Sequence, residues 1–309
     1  MLLHASPPTP PALLAPSGTW FFDWVIPVAG GLILLAAVLD VIRRRRLTWG
    51  FLFLVNSMLV YWMETVGDWG QQLVYSPVFR QHHLLDWLPL KTPNDPMFMP
   101  FAYAVYWTVH ALVVLALGQM LVERLGWSLL KSMAVLALPV NYVWDIFVEG
   151  IAARMGWWTY DPGFGPVLRF AEGGQVTLLW TVGLMTFWPN LIAYWAGKPP
   201  VRTLNHFERF FRLDRFTRPK PAAATPDSTG PGQSDRGLVA LAAQRSTRIG
   251  KREQHDALLE YEITIPRWKF EAARFGAWFV VFQVSFFVLL IVPLVAMHML
   301  TGHDSIYVP

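Results

Sequence analysis

Long apolar stretches separated by short polar connections dominate the chain. A transmembrane helix needs roughly 20 mostly apolar residues, and the stretches that reach this length are residues 20–42, 48–69, 101–122, 128–150, 175–197 and 272–300. Four arginines directly follow the first stretch, which indicates a stop-transfer sequence rather than a cleaved signal peptide. The pattern therefore predicts an all-α fold, a polytopic membrane helical bundle with six transmembrane helices.

The other segments divide around these helices. Residues 1–19 are rich in proline and lack Lys, Arg, Asp and Glu, which predicts a disordered N-terminal tail. Residues 20–197 form a predicted transmembrane core of five helices. Residues 198–271 predict a basic cytoplasmic loop with a Pro-rich linker, and residues 272–309 hold the sixth transmembrane helix and a short tail.

Composition agrees with a membrane location. The chain of 309 residues is 54% hydrophobic and 15% charged, whereas soluble domains contain about 25% charged residues. A single water-soluble globule is therefore excluded. The chain has no cysteine, which excludes disulfides, thiolate zinc sites and cysteine nucleophiles.

The basic residues indicate the orientation. With six helices, 21 of the 25 Lys and Arg residues fall on one side, and the positive-inside rule assigns that side to the cytoplasm. Both termini are then extracytoplasmic. The expected location is a bacterial plasma membrane, with the chain as a multi-pass protein.

Basic and aromatic residues alternate at the start of the cytoplasmic loop, around residues 207–215. Nucleic-acid binding is one interpretation of such a segment, but its position beside a membrane helix favours contact with anionic lipid headgroups. The expected partners are therefore membrane lipid and an apolar small molecule, without nucleic acid.

Ionisable residues inside the predicted helices are the candidate catalytic groups. They are costly in lipid, and they therefore normally face the bundle interior and serve a function. Glu64 and Asp68 are four residues apart on the second helix, and Asp145 and Glu149 are four apart on the fourth. With His110 of the third helix, all are expected in the outer half of the bundle.

Neighbouring residues supply a candidate substrate-binding set, and several plainer interpretations stay open. The set is Tyr106, Trp107, Asn141, Tyr160 and Trp62. Carboxylates near a helix end can instead reach the aqueous interface, a lone histidine can join two helices, and asparagines can serve as interhelical contacts. The helices lack the Glu-x-x-His pair of carboxylate-bridged metal sites, and we expect neither a metal nor a cofactor.

One segment resembles a known family. The stretch Asp145-Ile-Phe-Val-Glu149-Gly150, followed by Gly156-Trp157-Trp158-Thr159-Tyr160, is similar to the Asp-x-x-x-Glu-Gly…Gly-x-Tyr pattern of the AveC-type spirocyclases. The stretch from Asp68 to Tyr75 and Pro100 fit the same layout, and the resemblance covers roughly residues 50–195. It implies a membrane enzyme of secondary metabolism that closes a spiroketal from a dihydroxy-ketone polyketide. The long basic segment 198–271 departs from that pattern, which leaves the substrate open.

The carboxyl residues suit this chemistry. A carboxyl group buried among apolar side chains can stay protonated at neutral pH and act as the general acid that expels water. A second, ionised carboxylate can accept the proton of the incoming hydroxyl and stabilise the cation. We therefore expect a cofactor-free cyclase or dehydratase. The open alternatives are an isoprenoid or sterol hydratase, isomerase or cyclase, and a non-enzymatic proton-coupled lipid transporter.

Overall fold

The computed structural model describes residues 7–171, 173–178, 187–197, 204–219, 261–301 and 305–308, without the side chains of Leu138, Asn141, Phe187, Pro219 and Tyr261. The chain forms two compact units. The first comprises Met1–Gly197 and Trp278–Pro309, and the second comprises Lys198–Ala277.

Helices make up most of the described chain. They are α1 (Ile26–Arg44), α2 (Trp49–Leu59), α3 (Glu64–Gly70), α4 (Met99–Leu125), α5 (Leu129–Met155), α6 (Phe187–Gly197), α7 (His206–Phe210), α8 (Arg267–Phe286) and α9 (Val292–Thr301). A π-helical turn, Phe21–Val25, leads into α1, and another, Phe287–Ile291, joins α8 to α9. A 3-10 turn, Tyr61–Met63, lies between α2 and α3.

The limits of the long helices follow from their capping residues. The hydroxyl of Thr48 accepts a hydrogen bond from the first turn of α2, and the hydroxyl of Ser128 does the same for α5. Such side chains satisfy backbone N–H groups that have no partner inside the helix. Gly126 and Gly156 end α4 and α5 in the left-handed conformation that glycine adopts without strain.

The helices bear out the prediction of an integral membrane protein. Among the described residues, five helical segments are long and apolar enough to cross a membrane. They are Phe21–Arg44, Trp49–Gly70, Met99–Leu125, Leu129–Met155 and Arg267–Thr301. The remaining predicted span, residues 175–197, is described only at its two ends. It begins as a short strand and finishes as α6, and the number of six crossings is therefore not established by helix length.

Helix α4 lies at the centre of the first unit, in contact with α1, α2, α5 and α6. Small residues allow this close packing. A β-carbon added to Gly30 of α1 would lie 2.8 Å from the backbone oxygen of Phe101, and one added to Gly118 would lie 2.8 Å from the side chain of Met133. The buried Ala104 and Ala111 also present little bulk on α4.

Short strands cover one end of this bundle. They are β1 (Leu73–Tyr75), β2 (Trp158–Tyr160), β3 (Val167–Arg169) and β4 (Gln175–Thr177). β1 pairs antiparallel with β2, and β3 pairs antiparallel with β4. We call these four strands the cap and the end of the bundle that carries them the capped end. The all-α prediction misses them because three-residue strands leave little periodicity in a sequence.

The described segments near both ends of the chain, residues 7–19 and 305–308, pack against the cap. Residues 7–19 do not form the disordered tail that the sequence predicts. Leu13 is fully buried in a cluster with Trp69, Val74 and Val308, and its carbonyl oxygen accepts a hydrogen bond from Ser76. An apolar side chain in an otherwise uncharged, proline-rich segment is enough to order it when a complementary surface exists. Near the C-terminus, the hydroxyl of Ser305 bonds to the carbonyl oxygen of Asp161.

The second unit has its own hydrogen-bond framework. Asn205 and Glu208 form a capping box at the start of α7. The buried carboxylate of Glu208 also accepts a hydrogen bond from Arg274 at 2.9 Å. The strands β5 (Thr217–Pro219) and β6 (Tyr261–Ile263) pair antiparallel. The described part of the predicted cytoplasmic loop is thus folded.

The contact between α1 and α4 predicts opposite outcomes for two adjacent glycines. Gly30→Ala places a methyl group against the backbone of Phe101, whereas Gly31 has no atom within 4 Å of the same position. We expect Gly30→Ala to lower the free energy of unfolding by about 1–3 kcal/mol. Gly31→Ala should leave it unchanged or raise it, because alanine favours a helix over glycine. Thermal unfolding in detergent measures both, and equal melting temperatures would contradict the described packing.

Candidate functional site

A cavity of about 250 Å³ lies at the capped end of the first unit. Its volume is close to the lower end of the range for ligand sites, ~300 Å³. Most of its wall is aromatic or aliphatic, with contributions from the turn before α1, from α4, from α5 and from β1 and β2. Two carboxylates, Glu64 and Glu149, line it together. We call it the main cavity.

Glu149 is held by two hydrogen bonds from the cap. Its Oε2 atom accepts one from Trp158 Nε1 at 2.6 Å and one from the Tyr160 hydroxyl at 2.8 Å. Both hydrogen bonds of the carboxylate within the described residues go to Oε2 and none to Oε1, and the residue is partly buried. The carboxylate is thus fixed in orientation, with one oxygen left for a ligand.

The alternation of side chains along β1 and β2 explains this arrangement. Leu73 and Tyr75 of β1 pair with Tyr160 and Trp158 of β2, and all four line the main cavity. The residues between them point away, because side chains alternate between the two faces of a strand. The hydroxyl of Thr159 accepts a hydrogen bond from the backbone N–H of Gln175 at 2.9 Å, which joins β2 to β4.

Glu64 lies in the first turn of α3, directly after the 3-10 turn Tyr61–Met63. A 3-10 segment within a helix changes the direction of the side chains that follow. Tyr75 shares the cavity wall with Glu64, and burial raises the pKa of its phenol well above the ordinary value. Tyr75 is therefore a neutral phenol at physiological pH.

A second, much smaller cavity of about 10 Å³ adjoins the first, and we call it the polar cavity. Glu64, Tyr75 and Met99 line both cavities. Asp68 lines only the polar cavity, where its Oδ1 atom also accepts a hydrogen bond from Gln71 at 3.0 Å.

Two of the predicted catalytic residues do not line either cavity. Asp145 is 1% exposed, and neither of its oxygens has a hydrogen-bond partner among the described residues. His110 is also buried, with its Nδ1 atom 3.1 Å from the carbonyl oxygen of Tyr106. Its ring packs 5.7 Å from the ring of Tyr106 and 5.6 Å from that of Trp107. His110 therefore lies directly behind the aromatic wall.

The predicted substrate-binding residues fall into three groups. Tyr106, Trp107 and Tyr160 line the main cavity. Trp62 is 38% exposed and donates a hydrogen bond to Gln283, so its ring is turned away from the cavity. The side chain of Asn141 lies outside the described residues.

Several lining residues were not singled out as candidates by the sequence. Trp158 is not among the predicted site residues, but its indole N–H donates directly to Glu149. Tyr103 lines the main cavity, and its buried hydroxyl has no partner within the described part of the chain. The spacing of Trp158 and Tyr160, two residues apart after the helix-ending Gly156, is the signal that predicts a shared face. No comparable signal marks Tyr103.

No group of three or more His, Asp or Glu side chains in the described segments could hold a metal ion. The main cavity offers carboxylates, phenols and indoles, which bind by hydrogen bonding, proton transfer and contact with aromatic rings.

No family model matches this chain, and neither a curated protein nor a solved structure matches it.

The hydrogen bonds from Trp158 and Tyr160 to Glu149 predict that Glu149→Ala destabilises the protein more than Glu149→Gln does. Glu149→Ala removes the acceptor of the buried indole N–H of Trp158, at a cost of about 1–3 kcal/mol, and also removes one hydrogen bond of the Tyr160 hydroxyl. Glu149→Gln keeps an acceptor oxygen at the same place and should cost less. Thermal unfolding in detergent compares them, with Asp145→Asn as a control that removes no hydrogen bond. Equal losses for Ala and Gln would contradict the described contacts.

Proposed function

We propose that the protein is a cofactor-free membrane enzyme that closes a ring on an apolar hydroxy-ketone by carboxyl general acid–base catalysis. The observation that carries this proposal is the pair Glu64 and Glu149 on the wall of one apolar cavity. Two carboxyl groups with different surroundings are the usual means of running acid and base steps in one site. Glu149 faces two hydrogen-bond donors, whereas Glu64 lies between the main and polar cavities.

The proposed reaction is spiroketal closure. One substrate hydroxyl adds to the ketone and forms a cyclic hemiketal. Glu64, as a carboxylic acid, gives its proton to the hemiketal hydroxyl. The C–O bond then breaks, water departs, and an oxocarbenium ion remains. The second substrate hydroxyl then forms a C–O bond to the cation and gives its proton to Glu149. The sum is one dihydroxy-ketone converted to one spiroketal and one water.

The wall of the main cavity suits the cationic intermediate. Tyr106, Trp107, Trp144 and Trp158 line the same cavity as the two carboxyl groups. Aromatic faces attract cations, with about 2 kcal/mol or more when the site is desolvated. The hydroxyl of Tyr103 is a further hydrogen-bond donor for the substrate.

The buried Asp145 and Asp68 are proposed as supporting residues. Asp145 precedes Glu149 by one helical turn on α5, and Asp68 follows Glu64 by one turn on α3. Neither lines the main cavity. We therefore assign the reacting protons to Glu64 and Glu149, and a secondary electrostatic role to the two aspartates.

The polyketide substrate class rests on the resemblance to the AveC-type spirocyclases. That pattern includes Glu149 and Tyr160, which are hydrogen-bonded to each other. An isoprenoid or sterol cyclase would use the same aromatic wall, and product analysis separates the two. A proton-coupled transporter would need acids along a path to both faces, but the buried carboxylates of the described bundle lie toward the capped end.

We further propose a topology of six crossings in a bacterial plasma membrane, with both termini at the extracytoplasmic, capped end. Strand β4 is part of the cap. Trp49, the first residue of α2 at the opposite end, donates a hydrogen bond to the carbonyl oxygen of Ala196 at 2.9 Å. Thr177 and Ala196 are thus described at opposite ends of the bundle, which supports the proposed sixth crossing.

Anionic lipid is the proposed partner of the second unit. Phe210 and Trp268 are largely exposed, and so are the basic side chains of Arg212, Arg215 and Lys269. Exposed aromatic rings beside cationic groups are typical of protein surfaces that contact negatively charged headgroups.

Turnover by the purified protein tests the catalytic assignment. In lipid nanodiscs, an apolar synthetic dihydroxy-ketone should lose one water faster than in empty nanodiscs, with one spiroketal stereoisomer in excess, as measured by chiral chromatography and mass spectrometry. Glu64→Gln and Glu149→Gln should each lower kcat by about 10²–10⁴-fold. Asp145→Asn should lower it less.

The control for this experiment is Glu123→Gln, because Glu123 is exposed on α4 and lines neither cavity. Its turnover should equal that of the wild type. Wild-type rates in both cavity variants, with normal protein levels, would contradict the assignment.

Cysteine labelling tests the topology, since the chain has no cysteine of its own. Leu84→Cys in the connection before α4 and Leu125→Cys at the end of α4 are both exposed positions. In intact cells, a membrane-impermeant maleimide should label the first variant and should label the second only after permeabilisation. The reverse pattern would overturn the orientation.

A further inference from the structure

The polar cavity has the size and the chemistry of a site for one water molecule. Its volume of about 10 Å³ is close to the minimum that holds one water, ~10–15 Å³. A bound water needs two to four polar partners, and the wall provides more. They are the side chains of Tyr61, Glu64, Thr65, Asp68, His82 and Asp95.

Two of these groups have no partner in the described protein. The Oγ1 atom of Thr65 is buried without a hydrogen bond, and the side chain is only 2% exposed. The Nδ1 atom of His82 is also buried and without a hydrogen bond. Such groups are costly unless a ligand or an ordered water satisfies them. Because both line the same small space, one water can satisfy both.

The far side of the polar cavity connects to the protein surface. His82 is partly exposed. Asp95 accepts a hydrogen bond from Lys91 at 2.7 Å, and Lys91 also bonds to the exposed Asp86 at 2.9 Å. The near side is Glu64, which also lines the main cavity. A water here therefore lies between the catalytic carboxyl group and solvent.

We infer that the polar cavity binds a water molecule that links Glu64 to the solvent through His82 and Asp95. This role rests on the proposed function, because spiroketal closure releases one water beside Glu64 and removes one proton from it. The released water leaves the apolar main cavity by this path. A proton from solvent then passes through His82 and the bound water to Glu64. Glu149 returns its proton to water that enters the main cavity after the product has left, and both carboxyl groups are then in their starting states.

The environment of His82 supports a relay. Burial lowers the pKa of its imidazole below the ordinary value, while Asp95 acts in the opposite direction and Lys91 in the same one. A neutral imidazole accepts a proton on one nitrogen and donates from the other. The remaining ionisable groups around it are Tyr61 before α3, Glu64 and Asp68 on α3, Tyr75 on β1, and His83 and Asp86 in its own loop.

The water site can be tested without any substrate. Radiolysis of bound water by an X-ray pulse labels adjacent side chains with its oxygen, and mass spectrometry locates the label. Leu85 lines the polar cavity but not the main one and is 7% exposed, whereas Leu115 of α4 is 8% exposed and lines neither. In nanodiscs prepared in ¹⁸O water, Leu85 should be labelled and Leu115 should not.

Thr65→Val is the matched variant, because it keeps the shape of the side chain and removes the hydroxyl. The label on Leu85 should be lost, while melting temperature and labelling of exposed residues stay unchanged. Equal labelling of Leu85 and Leu115 in the wild type would overturn the water site, whatever the variant does.

The relay is tested by two adjacent histidines. His82→Gln should lower kcat about tenfold, less than the loss of a direct acid–base group, and should increase the solvent deuterium isotope effect on kcat. His83→Gln should change neither, since His83 is exposed and lines neither cavity. Identical isotope effects in both variants would overturn the relay.

Labelling of Leu85 in a protein without turnover would contradict the proposed function and leave the water site standing.

Discussion

The pairing of β1 with β2 is the interaction on which the site depends. It joins the segment after α3 to the segment after α5, and its register directs Trp158 and Tyr160 toward Glu149. A shift by one residue would turn both donors to the opposite face. The same register aligns Leu73 and Tyr75 with the cavity wall. The three residue pairs between β1 and β2 thus decide whether the carboxylate of Glu149 receives its two hydrogen bonds.

This constraint matters because the bundle is apolar. A carboxylate at membrane depth is costly unless it faces a partner or a cavity. The cap provides partners at one end, and glycines such as Gly30 and Gly118 allow the helices to pack closely around α4. The polar residues of the cap and of α3 therefore determine where proton chemistry can occur. The arrangement also brings a cavity for apolar substrate next to a small polar cavity, with Glu64 common to both.

The four carboxyl residues show how far helical spacing predicts a site. Asp145 and Glu149 are four apart on α5, and spacing alone assigns them one stripe and similar roles. Only Glu149 lines the main cavity and meets the donors of β2, whereas Asp145 is buried outside the cavity wall. Glu64 and Asp68 also differ: both line the polar cavity, but only Glu64, at the start of α3, lines the main cavity as well.

The sequence by itself determined that the chain forms membrane helices and that acidic residues cluster toward one end of the bundle. It also identified tyrosines and tryptophans as residues that line the site. These depend on local hydropathy and on spacing within one helix. The tertiary structure decided which acids share a cavity, that Trp62 turns away, that residues 7–19 are ordered, and that His82 and Thr65 face Glu64. Those outcomes depend on pairing between segments as distant as Leu73 and Tyr160, and on helix rotation, neither of which leaves a periodic signal in a single chain.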